Sequence, residues 1–245
     1  MLAGFDLKHL FYFPIENSEA RKNFLIGGLL ILASLIIPIL PYLIALGYAM
    51  RIMRQVIAGE QPRMIAWDDW EGMLKDGLKL FGVRFVYSLP LLLVLLPVML
   101  VFLVTPFLAA VLENENIFFL SFLVFPVFII CLLPFSLVFA LIIPAPEAHV
   151  TATQEFSAGF RVKEWWPIFR KNIGGFLVAF LVIYGAGIVV SIAFQIIFLT
   201  IILACLTPIL LPGFSFYLLL VQQVLFAQAY REGREKFASS PLPAA

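Results

Sequence analysis

The sequence predicts an all-α integral membrane protein with about six membrane-embedded helices, and three observations lead to that class. Hydrophobic residues make up 63% of the 245 residues and charged residues only 13%, whereas soluble domains are usually about a quarter charged. Several uncharged stretches exceed the roughly 20 residues that cross a bilayer. All 16 Lys and Arg residues fall in a few separated regions, as is typical of cytoplasmic loops.

The composition and motifs also argue against several classes of function. A net charge of +1 does not suit a nucleic-acid-binding protein, which would carry a basic face. The chain has no Ser–His–Asp set, no metal-ligand spacing and no glycine-rich phosphate loop. We therefore predict a protein that is not an enzyme, without a catalytic, cofactor or metal site.

The N-terminal region predicts an interfacial helix followed by a proline-broken pair of helices. Residues 1–16 mix aromatic and polar side chains, a composition typical of a helix in the headgroup region. Asn17 or Ser18 then caps a helix. Residues 23–50 are uncharged but contain Pro38 and Pro41, so they form one kinked span or a hairpin within 18–58. Basic residues on both flanks favour the hairpin, because both ends would then be cytoplasmic.

The polar segment that follows predicts a second interfacial helix, within 63–81. Gly59 and Pro62 end the preceding helix. Apolar residues at three- and four-residue spacing then give one stripe, namely Trp67, Trp70, Leu74, Leu78 and Phe81. On the opposite face Glu71 can pair with Lys75 and Asp76 with Lys79.

The rest of the chain predicts two helical hairpins and one more interfacial segment. Spans 82–112 and 117–143 are joined by an acidic outer turn, and residues 144–150 form a rigid exit turn. Glu147 and His149 in that turn lie at i,i+2, which is not one helix face, so they are weak candidates for acid–base or metal chemistry. The interfacial segment 154–171 leads to spans 173–206 and 213–230, which an outer turn at 207–213 separates. Residues 1–236 thus form one membrane domain with both termini cytoplasmic, and 237–245 a disordered tail.

Two basic residues where the polar segment leaves the membrane are the leading site candidates. Arg51 and Arg54 can set the orientation, bind a lipid phosphate, or pair with Asp68, Asp69 or Asp76. Adjacent aspartates point about 100° apart on a helix, so Asp68 and Asp69 are predicted to cap the next helix rather than form an acid–base dyad. Arg84 is predicted to snorkel to the cytoplasmic surface.

Residues 47–90 resemble the domain of unknown function 4013 family of bacterial and archaeal membrane proteins. The shared pattern is G-Y-x-x-R-x-x-R, a glycine, an acidic–aromatic patch, D-G-L-K, and a tyrosine before proline. The start of that family is similar to Phe13–Gly28. The resemblance implies a membrane fold and no known activity. The residues that match it are Gly47, Tyr48, Arg51, Arg54, Gly59, Trp67, Asp68, Asp69, Trp70, Asp76, Gly77, Leu78, Lys79, Tyr87 and Pro90, and we add Arg84 to these candidates.

Two functions follow as hypotheses. The first is a non-enzymatic scaffold or accessory subunit, in contact with the lipid bilayer and with partner membrane proteins or a second copy. The alternative is a transporter or channel for a neutral solute or lipid, favoured by proline-broken helices and by the likeness of 70–81 to 165–176. Gln195, Gln222 and Gln223 either bond helices together or line such a pathway. In either case we expect a multi-pass protein of the cell (cytoplasmic) membrane.

Overall fold

The computed structural model describes residues 7–198 and 205–239, and these form helices and connecting turns without a β-strand. Short 3₁₀ helices cover Phe13–Ile15 and Phe156–Phe160. The described α-helices are α1 (Leu7–Tyr12), α2 (Ser18–Ala33), α3 (Leu40–Ile57), α4 (Trp70–Val111), α5 (Glu115–Ile142), α6 (Pro144–Thr153), α7 (Val162–Lys171), α8 (Ile173–Phe198) and α9 (Thr207–Ala238).

Four helices are long and apolar enough to cross a membrane, which supports the predicted membrane class. By length and composition they are Trp70–Val111, Phe125–Thr153, Ile173–Phe198 and Thr207–Ala238. The chain divides into two compact units. The first takes its described residues from Met1–Val83 and Pro144–Ala245, and the second is Arg84–Ile143.

The proline-broken N-terminal region has two helices rather than one kinked helix. α2 ends at Ala33 and α3 begins at Leu40, and the two pack against each other. Pro41 lies in the first turn of α3, where its missing N–H has no intrahelical partner to lose. Asn17 is the N-cap of α2, because its side chain accepts the Ala20 N–H at 2.8 Å.

α4 is one continuous helix that includes most of the predicted interfacial segment 63–81 and of the predicted span 82–112. It begins at Trp70, inside the predicted segment 63–81, and Asp69 caps it by accepting the Gly72 N–H at 2.9 Å. It then continues to Val111, with Pro90 inside it. Proline in a helix interior removes one backbone hydrogen bond and bends the helix, but it does not always end it. Its 42 residues make a helix about 63 Å long, roughly twice the hydrocarbon thickness of a bilayer.

The apolar stripe predicted for this interfacial segment is not the face of α4 that is buried in the first unit. Trp70 and Leu78 are exposed, whereas Met73, Gly77 and Leu80 are buried. The buried face combines the apolar residues Met73 and Leu80 with Gly77, which lets the backbone of α3 approach. Lipid also accepts apolar side chains, so periodicity alone cannot distinguish a lipid-facing side from a protein-facing one. The predicted pairs on α4 are present, Glu71–Lys75 at 2.6 Å and Asp76–Lys79 at 3.5 Å.

The exit turn predicted at 144–150 is instead the buried helix α6. Every residue from Pro144 to Thr151 is buried in the first unit. Pro144 and Pro146 both lie in the first turn, where backbone N–H groups have no intrahelical acceptor, so they do not interrupt the helix. This helix brings Glu147 and His149 into the core.

The outer turn predicted at 207–213 is the start of α9. Pro208 lies in the first turn, and the helix continues through Pro212 and Gly213. α9 packs against α2, α3, α7 and α8 and is the central helix of the first unit. It extends to Ala238, so residues 237 and 238 of the predicted tail are helical. The described residues do not include 1–6, 199–204 and 240–245. Parts of the predicted interfacial segment 1–16, of the predicted span 173–206 and of the predicted tail 237–245 fall there.

The second unit consists of the C-terminal part of α4 and α5. Most of its apolar side chains are exposed, including Phe107 at 78%, as expected for helices solvated by lipid. Within the unit the rings of Phe102 and Phe125 stack with centroids 4.1 Å apart. The turn between the helices has Glu113 at a φ of 47°, and Asn114 caps α5.

Gly59 ends α3 in a Schellman motif. Its φ is +91°, its N–H donates to the Val56 carbonyl at 3.0 Å, and the Glu60 N–H donates to the Gln55 carbonyl at 2.9 Å. This left-handed conformation is the one that glycine adopts without a Cβ penalty. Gly59→Ala should therefore lower the free energy of unfolding by about 1 kcal/mol. The measurement is thermal unfolding in mild detergent, and an unchanged transition would contradict the strain.

Candidate functional site

α3 and α4 cross at two glycines with their backbones in contact. A Cβ built on Gly47 would lie 1.7 Å from the Met73 carbonyl oxygen, and one built on Gly77 would lie 1.8 Å from the Leu43 carbonyl oxygen. No side chain fits at either position. This close crossing aligns the next turn of α3 with the charged face of α4.

The ion-pair cluster, defined as Arg51, Arg54, Asp69, Asp76 and Lys79, lies beside this crossing. Asp76 is its centre, with one carboxylate oxygen 3.2 Å from Arg51 Nε and 3.4 Å from Arg54, and the other 3.5 Å from Lys79. Arg51 also contacts Asp69 at 2.6 Å. The side chain of Asp76 is only 11% exposed, so its negative charge is neutralised by three cations rather than by water. The predicted pairing of the arginines with Asp69 and Asp76 is present.

Two neighbouring interactions extend this cluster. The hydrogen bond from Arg51 and, to a smaller extent, that from the Gly72 N–H lower the pKa of Asp69 below its ordinary value. This keeps the exposed carboxylate charged. Arg54 donates to the side-chain amide of Gln154, just after α6. Gln154 has a φ of 63° and donates in turn to the Thr151 carbonyl. The cluster thus connects α3, α4 and the end of α6.

An aromatic cluster lies on the same turn of α3. The rings of Tyr48 and Trp67 stack with centroids 4.0 Å apart and an interplanar angle of 15°. The Tyr48 hydroxyl both accepts the Ile65 N–H and donates to the Ile65 carbonyl, each at 2.9 Å. Trp67 Nε1 donates to the Asn23 carbonyl of α2 at 2.9 Å. Phe216 of α9 completes the cluster, 5.9 Å from Tyr48.

A third polar group was missed by sequence reasoning. The Tyr230 hydroxyl lies 2.7 Å from His149 Nδ1, and the other imidazole nitrogen lies 3.0 Å from Glu164. Glu164 also pairs with Arg161 at 3.2 Å, and Arg161 with Glu155 at 2.9 Å. His149 and Tyr230 are 81 residues apart, so no spacing rule relates them. The sequence signal for this contact was limited to His149 itself, which follows Pro144 and Pro146.

Several predicted residues lie away from these clusters. Asp68 is exposed and takes no part in the ion-pair cluster. Arg84, Tyr87 and Pro90 belong to the α4 part of the second unit. The segments 70–81 and 165–176, compared as a repeat, differ in backbone: the first lies within α4, whereas α7 ends at Lys171 before α8 begins.

The intramembrane glutamines occupy different settings. Gln195, with Ser191 and Ser215, lines a cavity of about 410 Å³ between α8 and α9, and its amide lies 3.4 Å from the Ser191 hydroxyl. Gln223 is 1% exposed, and its amide nitrogen lacks a hydrogen-bond partner among the described residues. Of Gln195, Gln222 and Gln223, Gln195 alone lines this cavity.

Chemically, these clusters are suited to connecting helices. Each acid of the ion-pair cluster is neutralised by a cation from another turn or another helix. Among the described residues no group of three His, Cys, Asp or Glu side chains is arranged to hold a metal ion. The arrangement fixes the packing of α3, α4, α6 and α7.

Comparison with known proteins gives one match. A family model described as a protein of unknown function, DUF4013, matches residues 30–199, which include the glycine crossing, the ion-pair cluster and α7. No curated protein and no solved structure matches the chain.

Proposed function

The chain belongs to the DUF4013 family of proteins of unknown function, and we propose that it is a multi-pass membrane protein with a structural, non-catalytic role. In this proposal it is a scaffold or an accessory subunit of a larger membrane complex. The observation that carries the proposal is the ion-pair cluster, in which Asp76 and its three cations satisfy one another. Catalytic and transport sites usually leave polar groups directed at a pocket, whereas these charges are used in joining α3 to α4.

The proposed topology has six membrane-embedded helices, α2, α3, α4, α5, α8 and α9. α4, α8 and α9 are candidate spans, a fourth candidate span begins in α5 and continues through α6, and α2 and α3 form the N-terminal pair. α2 has 16 residues, about 24 Å, so it would enter the bilayer without crossing its full hydrocarbon core. The basic residues before α2, after α3, on α7 and at the end of α9 support cytoplasmic termini by the positive-inside rule. The cell membrane is the proposed location.

The proposed contact surface for partners is the second unit. Its helices expose most of their apolar side chains, and these require lipid, a partner membrane protein or a second copy of the chain. The proposal of an accessory role assigns part of this surface to a protein partner, in addition to lipid.

Reconstitution and native electrophoresis test the proposal together. We expect no solute flux and no lipid scrambling in proteoliposomes above protein-free vesicles. We also expect the full chain, extracted from its native membrane in two mild detergents, to migrate in one complex of reproducible composition. Protein-dependent flux or scrambling, or migration only as a monomer, would contradict the structural role.

A transporter for a neutral solute is the second candidate, and the cavity of about 410 Å³ near Gln195 favours it. Ser191, Gln195 and Ser215 supply hydrogen-bonding groups without charge, which suits a neutral solute. If proteoliposomes show flux, Gln195→Ala should abolish it. Gln222→Ala is the matched control, because Gln222 is an intramembrane glutamine that does not line this cavity.

A further inference from the structure

α7 presents two chemically distinct faces. Trp165, Ile168 and Phe169 are buried against the first unit. Lys163, Trp166 and Arg170 follow one another at i, i+3 and i+7, which places them on the opposite face, and all three are exposed. We call these three residues the α7 stripe.

Among residues 7–198 and 205–239, no carboxylate lies within ion-pair distance of the two cations of the α7 stripe. Glu164 is occupied by His149 and Arg161, and Glu155 also pairs with Arg161. At the end of α9, Arg231 pairs with Glu235 and Lys236 with Glu232. Within the described part of the chain, four basic side chains on these two helices have no ion-pair partner. They are Lys163, Arg170, Lys171 and Arg234.

The surroundings of the stripe place it at the edge of a membrane. α7 ends at Lys171, and α8, a candidate span, begins two residues later at Ile173. Exposed apolar side chains also flank α7 in the sequence, with Phe156 44% and Ile173 52% exposed. Tryptophan and basic residues next to such a boundary are typical of the headgroup region. The outward face of α7 therefore combines positive charge with apolar side chains at the depth where lipid phosphates lie.

We propose that the α7 stripe binds anionic phospholipid headgroups of the membrane that holds the protein. Lys163 and Arg170 would contact the phosphate and the anionic headgroup, and Trp166 would lie among the glycerol and upper acyl groups. Unneutralised charge on the stripe favours an anionic lipid over a zwitterionic one. This inference rests on the proposed membrane location and adds the class of lipid and the residues that select it.

Tryptophan quenching in bilayers tests the proposal directly. The full chain is reconstituted into phosphatidylcholine containing a minor fraction of phosphatidylglycerol, with bromine on the acyl chains of one lipid or the other. The signal of Trp166 is the difference between the parent protein and Trp166→Phe. We expect brominated phosphatidylglycerol to quench Trp166 more strongly than an equal fraction of brominated phosphatidylcholine. Lys163→Ala with Arg170→Ala should reduce this preference roughly 25-fold, at about fivefold for each cation near an anionic surface.

Matched variants separate the possible outcomes. Lys75→Ala removes an exposed lysine that is paired with Glu71, and it should keep the full preference. Trp165, which is buried, reports that the double variant is still folded. Equal quenching by the two brominated lipids, or an unchanged preference in the double variant, would overturn the inference and favour an acidic protein partner for this face. Failure to reconstitute into either bilayer would instead count against the proposed membrane role.

Discussion

Replacing Gly77 with alanine should prevent the first unit from folding or strongly reduce its accumulation. The new methyl group would meet the Leu43 carbonyl oxygen at 1.8 Å, and a backbone atom cannot move aside as a side chain can. α3 and α4 would have to separate, which would also lengthen the contacts of Asp76 with Arg51 and Arg54. We expect a loss of roughly 3 kcal/mol or more in the free energy of unfolding, at the upper end for overpacked cores. Gly47→Ala should behave in the same way.

The measurement is thermal unfolding by tryptophan fluorescence in mild detergent, together with the amount of protein in the membrane. All four tryptophans, at 67, 70, 165 and 166, belong to the first unit. Gly185→Ala on α8 is the matched control, because nothing lies within 4 Å of a Cβ built there. If Gly77→Ala and Gly185→Ala unfold at the same temperature, the glycine crossing is not what holds the helices together.

The crossing also shows what the sequence could and could not predict. Helical character, the ion pairs of Arg51, and the caps at Asn17 and Asp69 were predictable, because each depends on residues close in sequence or on opposite charges. Gly77 entered the candidate residues only through the family resemblance. A glycine in the sequence can indicate a close approach of another backbone, but it does not indicate which backbone approaches.

The errors in the prediction have a common physical origin. Proline was interpreted as marking a turn at 144–150 and at 207–213, yet in the structure it lies in the first turn of α6 and in the first turn of α9. First turns need no backbone donor, so proline there begins a helix. The buried contact of His149 with Tyr230 depends on α6 and α9 packing together, and no local pattern contains that information.

Replacing Asp76 with asparagine is the second large effect that we expect. The substitution keeps the shape of the side chain but leaves Arg51, Arg54 and Lys79 without their shared negative charge. Removing one partner of a buried ion pair typically costs 3–5 kcal/mol, and we expect about 3 kcal/mol because Arg54 is 41% exposed. Asp69→Asn is the matched control. Its carboxylate is 56% exposed, and asparagine can still cap α4, so its effect should be much smaller.

The number of cations around Asp76 also decides which second substitution should restore stability. Exchanging Arg51 and Asp76 should not restore stability. An arginine at position 76 would face Arg54 and Lys79, and an aspartate at position 51 would face Asp69. Arg54→Gln should instead be less harmful in the Asp76→Asn background than in the parent protein, with a coupling energy of about 1 kcal/mol. Additive effects would show that Arg54 and Asp76 do not act as a pair.

The same variants distinguish a structural cluster from a ligand site. If the cluster only joins α3 to α4, thermal stability and assembly into a complex should be lost together. Both losses should grow from Asp69→Asn to Asp76→Asn and to the variant that carries both substitutions. If Asp76 instead contacted a solute or a lipid, Asp76→Asn would change binding or flux while its thermal transition stayed near that of the parent protein. We expect the first pattern, because three cations already surround the carboxylate and leave little room for a ligand.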